Sequence, residues 1–207
     1  MSTIQFTSTD VEILEQKIAY QGYFRIKHYQ LRHRLFSGGW SKPLSREVFD
    51  RGHAVGVLLI DPILHKIVLI EQFRAGTIGR TDKPWLLELI AGIIDTDEAP
   101  EQVARRETHE EAGLSVTDLT PIYEYWTSPG GSSERVVLFC GCVDASQAGG
   151  IHGLEAEGED IRVVVMDMKD AYVALTDGRI QNAFTIIAIQ WLQLNEKRIT
   201  LSKNGRT

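Results

Sequence analysis

The chain has 207 residues, 43% hydrophobic and 24% charged, and a formal net charge of -6 at pH 7. This composition fits one ordinary domain with a small appendage and excludes collagen-like, low-complexity and wholly disordered chains. It also argues against duplex nucleic acid as a partner, because no overall positive field is available to hold a polyanion. A phosphate site would therefore need a few placed arginines or a bound metal ion.

Residues 11–49 mix β-branched and aromatic residues with polar ones and are interrupted at 37–40 by Ser-Gly-Gly-Trp. This pattern predicts exposed antiparallel strands. From Arg51 the sequence becomes more apolar and predicts the first strands of a buried mixed sheet, at 54–60, 66–71 and 85–90. We therefore predict an N-terminal β-strand subdomain, residues 1–50, and a main domain, residues 51–207.

A helix is predicted to begin near Ala99 and Pro100 and to end at Gly113, because proline suits the first helical position and glycine suits the left-handed residue after the last turn. Apolar residues at helical spacing predict two more helices, at 170–177 and 181–196. Strands are predicted at 120–125, 135–143 and 161–165, with loops at 128–133 and 149–160. These elements predict an α/β fold with strands sandwiched between helices.

Targeting signals and cysteines indicate the cellular location. Residues 1–15 lack the basic and apolar regions of a secretory signal peptide, and the longest apolar runs fall short of the ~20 residues that span a bilayer. Cys140 and Cys142 are expected to be reduced core residues on one face of a strand, with a metal-binding role as the weaker alternative. These features predict a soluble, cytoplasmic protein without a membrane partner.

The predicted central helix carries three glutamates near its C-terminal end. Glu107, Glu110 and Glu111 repel one another at helical spacing, and the negative end of the helix dipole adds to this repulsion. Arg105 and Arg106 can offset part of the cost, so the plain interpretation is a solvated helix face with an ion pair between Arg106 and Glu110. The sharper hypothesis is a divalent cation such as Mg2+, which binds carboxylate oxygens together with substrate phosphate.

The residues around this helix resemble the signature of the Nudix hydrolase family, G-x5-E-x7-R-E-U-x-E-E-x-G-U, in which U is usually aliphatic. The matching residues are Gly92, Glu98, Arg106, Glu107, Glu110, Glu111, Gly113 and Leu114. Thr108 departs from the pattern, since an aliphatic residue is usual there. The resemblance implies a Nudix-type α/β/α sandwich with a mixed β-sheet, beside the small N-terminal antiparallel β-subdomain predicted above.

The same resemblance implies hydrolysis of a nucleoside diphosphate linked to another group, with Mg2+ as cofactor. About two or three ions are expected, with Mn2+ as a substitute, and they would neutralise the pyrophosphate and ready a water for in-line attack. Glu107 and Glu111 would be the principal ligands, joined by the backbone carbonyl of Ala91. Glu110 is either a further ligand or the partner of Arg106.

The sequence outside the signature bears on the substrate. Pro129 lies sixteen residues beyond Gly113, which resembles the ADP-ribose pyrophosphatase subgroup, and the likeness extends from about Gly22 to Leu194. We therefore expect cleavage of ADP-ribose to AMP and ribose 5-phosphate. The first alternative is hydrolysis of GDP-mannose or another nucleotide sugar. The second is a non-catalytic Nudix ligand sensor, against which the intact glutamate set argues.

By this likeness a further set of residues would bind substrate. Arginines would hold phosphate or ribose, although each is equally compatible with a plain surface charge, and an early aromatic pair would stack on adenine, although core packing explains it as well. The expected substrate contacts are Tyr23, Phe24, Arg46, Glu47, Arg51, Arg74, Ile93, Ser128, Pro129, Gly130 and Glu134. Relatives of this type are similar in being dimers with exchanged N-terminal strands, so a homodimer is expected. The adenine contacts would then come from the partner subunit.

An acidic segment follows at 155–160. Its ordinary interpretation is a solvated loop, but beside a pyrophosphate it could close over substrate on hinges at Gly153 and Gly158 and supply a general base and a metal ligand. The sequence does not rank its carboxylates, which are Glu155, Glu157, Glu159 and Asp160. The resemblance assigns Glu157 as the base and Glu159 as the ligand.

Overall fold

The structure is a computed structural model that describes residues 5–94 and 97–204; within the last helix, side chains are described as far as Glu196 and at Ile199. The chain divides into two compact units. The first unit comprises Met1–His53 and Trp126–Arg135, and the second comprises Ala54–Tyr125 and Val136–Thr207. Each unit is described in turn.

The first unit is built on a three-stranded antiparallel sheet, which confirms the strands predicted within residues 11–49. Its strands, in spatial order, are β1 (Val11–Gln21), β2 (Arg25–His33) and β3 (Leu44–Asp50). Asp50 is buried at the end of β3, and its Oδ2 lies 2.7 Å from Lys27 Nζ and 3.0 Å from Arg25 Nη2. The hydrogen bond from Lys27 is the main cause that holds the pKa of Asp50 below its usual value.

The second unit contains a mixed sheet, as predicted, and within the described residues it has eight strands where the sequence predicted six. The strands are β4 (His53–Asp61), β5 (Lys66–Phe73), β6 (Trp85–Glu88), β7 (Ile90–Ile94), β8 (Leu119–Trp126), β9 (Arg135–Cys142), β10 (Ile151–His152) and β11 (Ile161–Asp167). The central order is β10-β11-β5-β4-β9-β8, with β6 paired to β5 and β7 paired to β4. β4 and β9 run parallel, whereas β5 is antiparallel to β4, β6 and β11.

Helices cover both faces of this sheet. They are α1 (Pro100–Ala112), α2 (Met168–Thr176) and α3 (Ala183–Asn204). Along β4 and β5, successive side chains enter opposite cores because strand side chains alternate between faces. Val57 and Val68 pack in the cluster that contains residues of α1, whereas Leu58 and Ile67 pack in the cluster that contains residues of α2 and α3. The fold is therefore the predicted α/β/α sandwich.

The apolar segment 85–90 forms two strands where the sequence predicted one. Leu89 separates β6 from β7, and its backbone N–H donates to Thr185 Oγ1 at 3.0 Å. A hydroxyl from α3 thus takes a hydrogen bond that a continuous strand would have placed in the sheet. This cross-connection could not be foreseen from local sequence, because the two residues lie 96 positions apart.

Other local features agree closely with expectation. Cys140 and Cys142 are free and buried in the core that contains residues of α2 and α3, as predicted. The predicted loop 149–160 also contains the short strand β10 and a 3-10 helix at Glu155–Glu157. Across the described ranges, the helices are all too short or too polar to cross a membrane.

Candidate active site

The approach of β7 to α1 is set by a glycine. A Cβ placed on Gly92 would lie 2.0 Å from Glu107 Oε1 and 2.5 Å from Glu107 Cγ. A residue larger than glycine would therefore push the Glu107 carboxylate out of its place. The first glycine of the signature is required here because the carboxylate occupies the space that a side chain would fill.

The C-terminal end of α1 is also set by a glycine, as predicted. Gly113 adopts φ +66° and its N–H donates to the carbonyl of His109 at 2.9 Å, which ends the helix in a left-handed cap. A Cβ on Gly113 would lie 2.7 Å from His152 Cε1, so the strand β10 packs directly on this helix end. The acidic loop that follows β10 therefore starts beside the last turn of α1.

One arginine binds three of the signature glutamates. Arg106 donates to both oxygens of Glu98 at 3.2 and 3.0 Å, to Glu107 Oε1 at 2.8 Å and to Glu110 Oε2 at 3.0 Å. Glu98 is the largest cause that raises the pKa of the Arg106 guanidinium above its usual value. The predicted ion pair between Arg106 and Glu110 is present, and it forms part of a half-buried network.

Glu111 is 2% exposed, which is unusual for a carboxyl group at the end of a helix. Its Oε2 accepts a hydrogen bond of 3.0 Å from the backbone N–H of Ala91, the residue whose carbonyl was predicted to bind metal. Burial raises the pKa of Glu111 well above its usual value, and the nearby charges of Glu107 and Glu159 raise it further. The Ala91 N–H opposes this rise only in part.

Glu107 lies in a similar environment. Burial raises the pKa of Glu107 from 4.5 to about 7 in spite of the adjacent Arg106, and the charges of Glu110 and Glu159 contribute to the rise. Two neighbouring carboxyl groups, Glu107 and Glu111, are thus held where their charged forms are disfavoured. Perturbed carboxyl groups of this kind are typical of functional sites.

The acidic loop is attached to α1 at one end. The N–H of Gly153 donates to the carbonyl of Glu110 at 3.2 Å, and the N–H of Leu154 donates to Glu159 Oε2 at 3.0 Å. Glu159 is the loop carboxylate whose charge acts on both Glu107 and Glu111. Glu157 lies exposed in the 3-10 helix. The two glycines proposed as hinges, Gly153 and Gly158, both have positive φ, +98° and +71°.

The donor set has the chemistry of a site for a hard divalent cation. Carboxyl groups with raised pKa values lie near one another, and a backbone carbonyl is adjacent. Such a set of oxygen ligands suits Mg2+. As the side chains lie, no three His, Cys, Asp or Glu side chains in the described ranges converge closely enough to hold an ion. Glu107 is turned to Arg106 and Glu111 to Ala91. Binding of a cation would therefore require these side chains to move closer together.

The predicted substrate contacts of the first unit come together around Arg51. Its Nη1 lies 3.1 Å from Glu134 Oε1, and its guanidinium lies 5.5 Å from the ring centroid of Phe24. Tyr23 stands edge-on to Phe24 at 4.7 Å between ring centroids and is 87% exposed. Four of the predicted residues thus form one cluster. An exposed ring of this kind is available to a ligand.

The other predicted contacts of this unit lie on β3 and the adjoining turn. Arg46 and Glu47 are exposed on β3, and Arg46 Nη1 donates to the neighbouring carbonyl of Ser45. The turn that contains Ser128, Pro129 and Gly130 is hydrogen-bonded to β3, since the N–H of Phe49 donates to the carbonyl of Gly131 at 2.8 Å. In the second unit, Ile93 is half-buried on β7.

Sequence reasoning missed the partner of Arg74. Arg74 Nε donates to Glu88 Oε2 at 2.8 Å, and the Glu88 side chain is buried. A signal was present, because Glu88 is an acidic residue inside the apolar segment 85–90 and a buried carboxylate needs a positive or hydrogen-bonding partner. That Arg74 is this partner depends on the pairing of β5 with β6, so it could not be predicted from the local sequence.

The raised pKa of Glu107 predicts how the stability of the metal-free protein depends on pH. As pH rises from about 4.5 to about 7, the unfolded chain releases this proton before the folded chain does, so the free energy of unfolding falls. Glu111 acts in the same direction. We expect the Tm in chelator to fall over this range by less in Glu107→Gln than in wild type. Parallel calorimetric curves for the two proteins would contradict the assignment.

Comparisons with known proteins agree with this geometry. The model of the NUDIX domain matches residues 50–188. An ADP-ribose pyrophosphatase of Escherichia coli strain K12 is 46% identical over 196 residues, covering 95% of this chain and 94% of the relative. A GDP-mannose pyrophosphatase of Cronobacter sakazakii is 35% identical over 194 residues, covering 90% of this chain and 97% of the relative.

A solved structure described as an ADP compounds hydrolase is similar in fold. It superposes with a TM-score of 0.70 over 100% of both chains at 20% sequence identity. This likeness supports the architecture of the sheet and helices. The match of the NUDIX domain model over residues 50–188 and the sequence relatives show that the chain belongs to the NUDIX family.

Proposed function

We propose that this protein hydrolyses the pyrophosphate bond of ADP-ribose, giving AMP and ribose 5-phosphate, with Mg2+ as cofactor. The observation that carries the hydrolytic part of the proposal is the pair of buried carboxyl groups, Glu107 and Glu111, beside the backbone of Ala91. Their charged forms are disfavoured in the metal-free protein and would be stabilised by a divalent cation. The sequence relatives support ADP-ribose as the substrate.

Glu107, Glu111, Glu159 and the carbonyl of Ala91 would hold the metal ions, about two or three in number, with Mn2+ as a substitute. When bound, the ions supply positive charge to the pyrophosphate and lower the pKa of a coordinated water. Arg106 would keep Glu107 and Glu110 oriented between turnovers, since it holds both at hydrogen-bond distance. Glu110 would remain mainly the partner of Arg106, with metal binding as its second role.

We assign the general base to Glu157, which would accept a proton from the attacking water. Its exposed side chain lies in the segment between Gly153 and Gly158, the two glycines proposed as hinges. Glu159 would contribute its carboxylate to the metal site, as its electrostatic effect on Glu107 and Glu111 supports. Glu157 would thus serve proton transfer and Glu159 metal binding.

Recognition of the nucleotide would use the substrate contacts that the family resemblance implies. Arg51 and Glu134 would bind the phosphate and the terminal ribose, since a guanidinium can donate two parallel hydrogen bonds. The exposed ring of Tyr23 and the ring of Phe24 would stack on adenine. The remaining proposed contacts are Arg46, Glu47, Arg74, Ile93, Ser128, Pro129 and Gly130.

The experiment that tests this function is product analysis. With Mg2+ present, we expect release of AMP from ADP-ribose to exceed turnover of GDP-mannose, NADH and diadenosine polyphosphates by at least about tenfold in kcat/KM, which corresponds to about 1.4 kcal/mol in transition-state binding. GDP-mannose is the second candidate because the relative from Cronobacter sakazakii acts on it by name. Comparable rates on the two sugars would defeat the substrate assignment. Absence of turnover on all of them would favour a ligand sensor.

We propose that the protein is a homodimer with exchanged N-terminal strands. Support comes from β1, where Ile13, Ile18 and Tyr20 are all more than half exposed in the single chain. Apolar side chains exposed along one strand are typical of an interaction surface. Sedimentation equilibrium would give the mass of the particle, and a single-chain mass would refute the dimer. The two buried free thiols support a cytoplasmic location, where cysteines stay reduced.

A further inference from the structure

Arg74 and Glu88 form an ion pair outside the signature helix. Arg74 follows β5 and Glu88 is the last residue of β6, the strand paired to β5. The Nε and Nη2 atoms of Arg74 lie 2.8 and 2.7 Å from Glu88 Oε2. The Glu88 side chain is 3% exposed, whereas that of Arg74 is 41% exposed. The carboxylate is thus fixed in the interior while the guanidinium reaches toward solvent.

The second oxygen of Glu88 is also held. Glu88 Oε1 accepts a hydrogen bond of 2.8 Å from Asn182 Nδ2, and Asn182 Oδ1 accepts the backbone N–H of Thr185 at 3.2 Å. Asn182 therefore caps the first turn of α3, and Thr185 in turn receives the N–H of Leu89. Glu88 is oriented by a closed set of hydrogen bonds between β6 and α3. Such a carboxylate has little freedom to turn away from Arg74.

This arrangement leaves part of the guanidinium unused. Glu88 takes Nε and Nη2, while Nη1 of Arg74 makes no hydrogen bond or ion pair with any described residue. The positive charge of Arg74 acts on Glu111, which places the guanidinium within electrostatic range of the signature glutamates. A planar group that is already oriented loses less conformational entropy when it binds an anion.

We propose that Glu88 is a positioning residue for substrate binding: it holds Arg74 so that the free edge of the guanidinium meets a phosphate oxygen of the nucleotide. This inference rests on the proposed function, in which Arg74 contacts the substrate. Glu88 itself does not touch the substrate. Asn182 supports the same arrangement from α3 by holding the other oxygen of Glu88.

The first test is Glu88→Gln, which keeps the size of the side chain and removes its charge. Because a charge-assisted pair is replaced by a neutral hydrogen bond, we expect KM for ADP-ribose to rise about tenfold, with kcat changed by less than about threefold. The Kd for ADP-ribose in chelator, where no turnover occurs, should rise by a similar factor in calorimetry. Glu88→Asp, which keeps the charge, should restore part of the affinity.

A double-variant cycle shows whether Glu88 acts through Arg74. Arg74→Ala should weaken binding at least as much as Glu88→Gln, and the double variant should bind no more weakly than Arg74→Ala alone. Additive losses would overturn the inference, because Glu88 would then act by another route. Arg74→Ala leaves the buried Glu88 carboxylate without its cation, so Arg74→Lys, which keeps a positive charge, takes its place in the cycle if Arg74→Ala does not fold.

Asp61→Asn is the matched control. Asp61 is also a buried carboxylate, and it accepts the N–H groups of Ile63, Leu64 and Ala145. We expect this variant to lower Tm and leave KM unchanged. If Glu88→Gln behaved in the same way, its role would be structural only and the inference would be overturned.

A titration with inorganic pyrophosphate and Mg2+ separates this inference from the choice of sugar. Weaker pyrophosphate binding by Glu88→Gln than by wild type would support the positioning role even in a protein that leaves ADP-ribose intact, a result that would defeat only the proposed function. Equal pyrophosphate binding by the two proteins would overturn the positioning role, whatever the substrate proves to be.

Discussion

Glu111→Gln is expected to lower kcat by at least about a hundredfold while the metal-free protein becomes slightly more stable. Activity falls because an amide oxygen is a weaker ligand for a divalent cation than a carboxylate, and metal chemistry supplies several kcal/mol of transition-state stabilisation. The free energy of unfolding rises because the substitution removes a buried carboxyl group whose ionised form is disfavoured. Glutamine can still accept the hydrogen bond from the N–H of Ala91.

The measurements are steady-state kinetics in saturating Mg2+ and thermal unfolding in chelator. Glu101→Gln is the matched control, because Glu101 is exposed in the first turn of the same helix. That control should leave kcat within about twofold of wild type, as expected for a surface change. An unchanged kcat in Glu111→Gln, or full activity of wild type in excess chelator, would refute the metal site.

Glu157→Gln is expected to lower kcat by about 10²- to 10⁴-fold, the usual contribution of a general base, with Mg2+ affinity preserved. The reason is that Glu157 is exposed in the loop, whereas Glu159 acts electrostatically on Glu107 and Glu111. Single-turnover kinetics report the chemical step, and calorimetric titration reports the metal.

The matched control is Glu155→Gln, since Glu155 belongs to the same 3-10 helix. It should retain most of the wild-type rate. The assignment would be wrong if Glu155→Gln or Glu159→Gln slowed the chemical step more than Glu157→Gln does. Loss of metal affinity in Glu159→Gln, with the chemical step restored at high Mg2+, would support the separate roles of the two acids.

The helix that carries the signature could be predicted almost to the residue because its ends have local causes. Pro100 supplies the first residue of α1, and Gly113 adopts the left-handed conformation that ends it. The sheet was also predictable in outline, since the continuous apolar runs along β4 and β5 mark strands buried on both faces. These signals lie within a few residues of the feature they determine.

The features that escaped prediction depend on residues far apart in the chain. The break at Leu89 requires the hydroxyl of Thr185, and the orientation of Glu88 requires Asn182 and Arg74. The acidic character of the site was visible, but the extreme burial of Glu111 was not. Burial depends on the approach of β7, which the sequence signals only through the glycine at 92.

The hydrogen bond from Gly153 to the carbonyl of Glu110 limits how far the acidic loop can move. While this hydrogen bond persists, the first residue of the loop stays attached to α1. Four residues beyond Gly153, the Cα atom of Glu157 can lie at most about 14 Å from that attachment when the chain is fully extended. If the loop opens for product release, the proposed base Glu157 would therefore stay close to the end of α1, and the loop would need only a short local motion to close again.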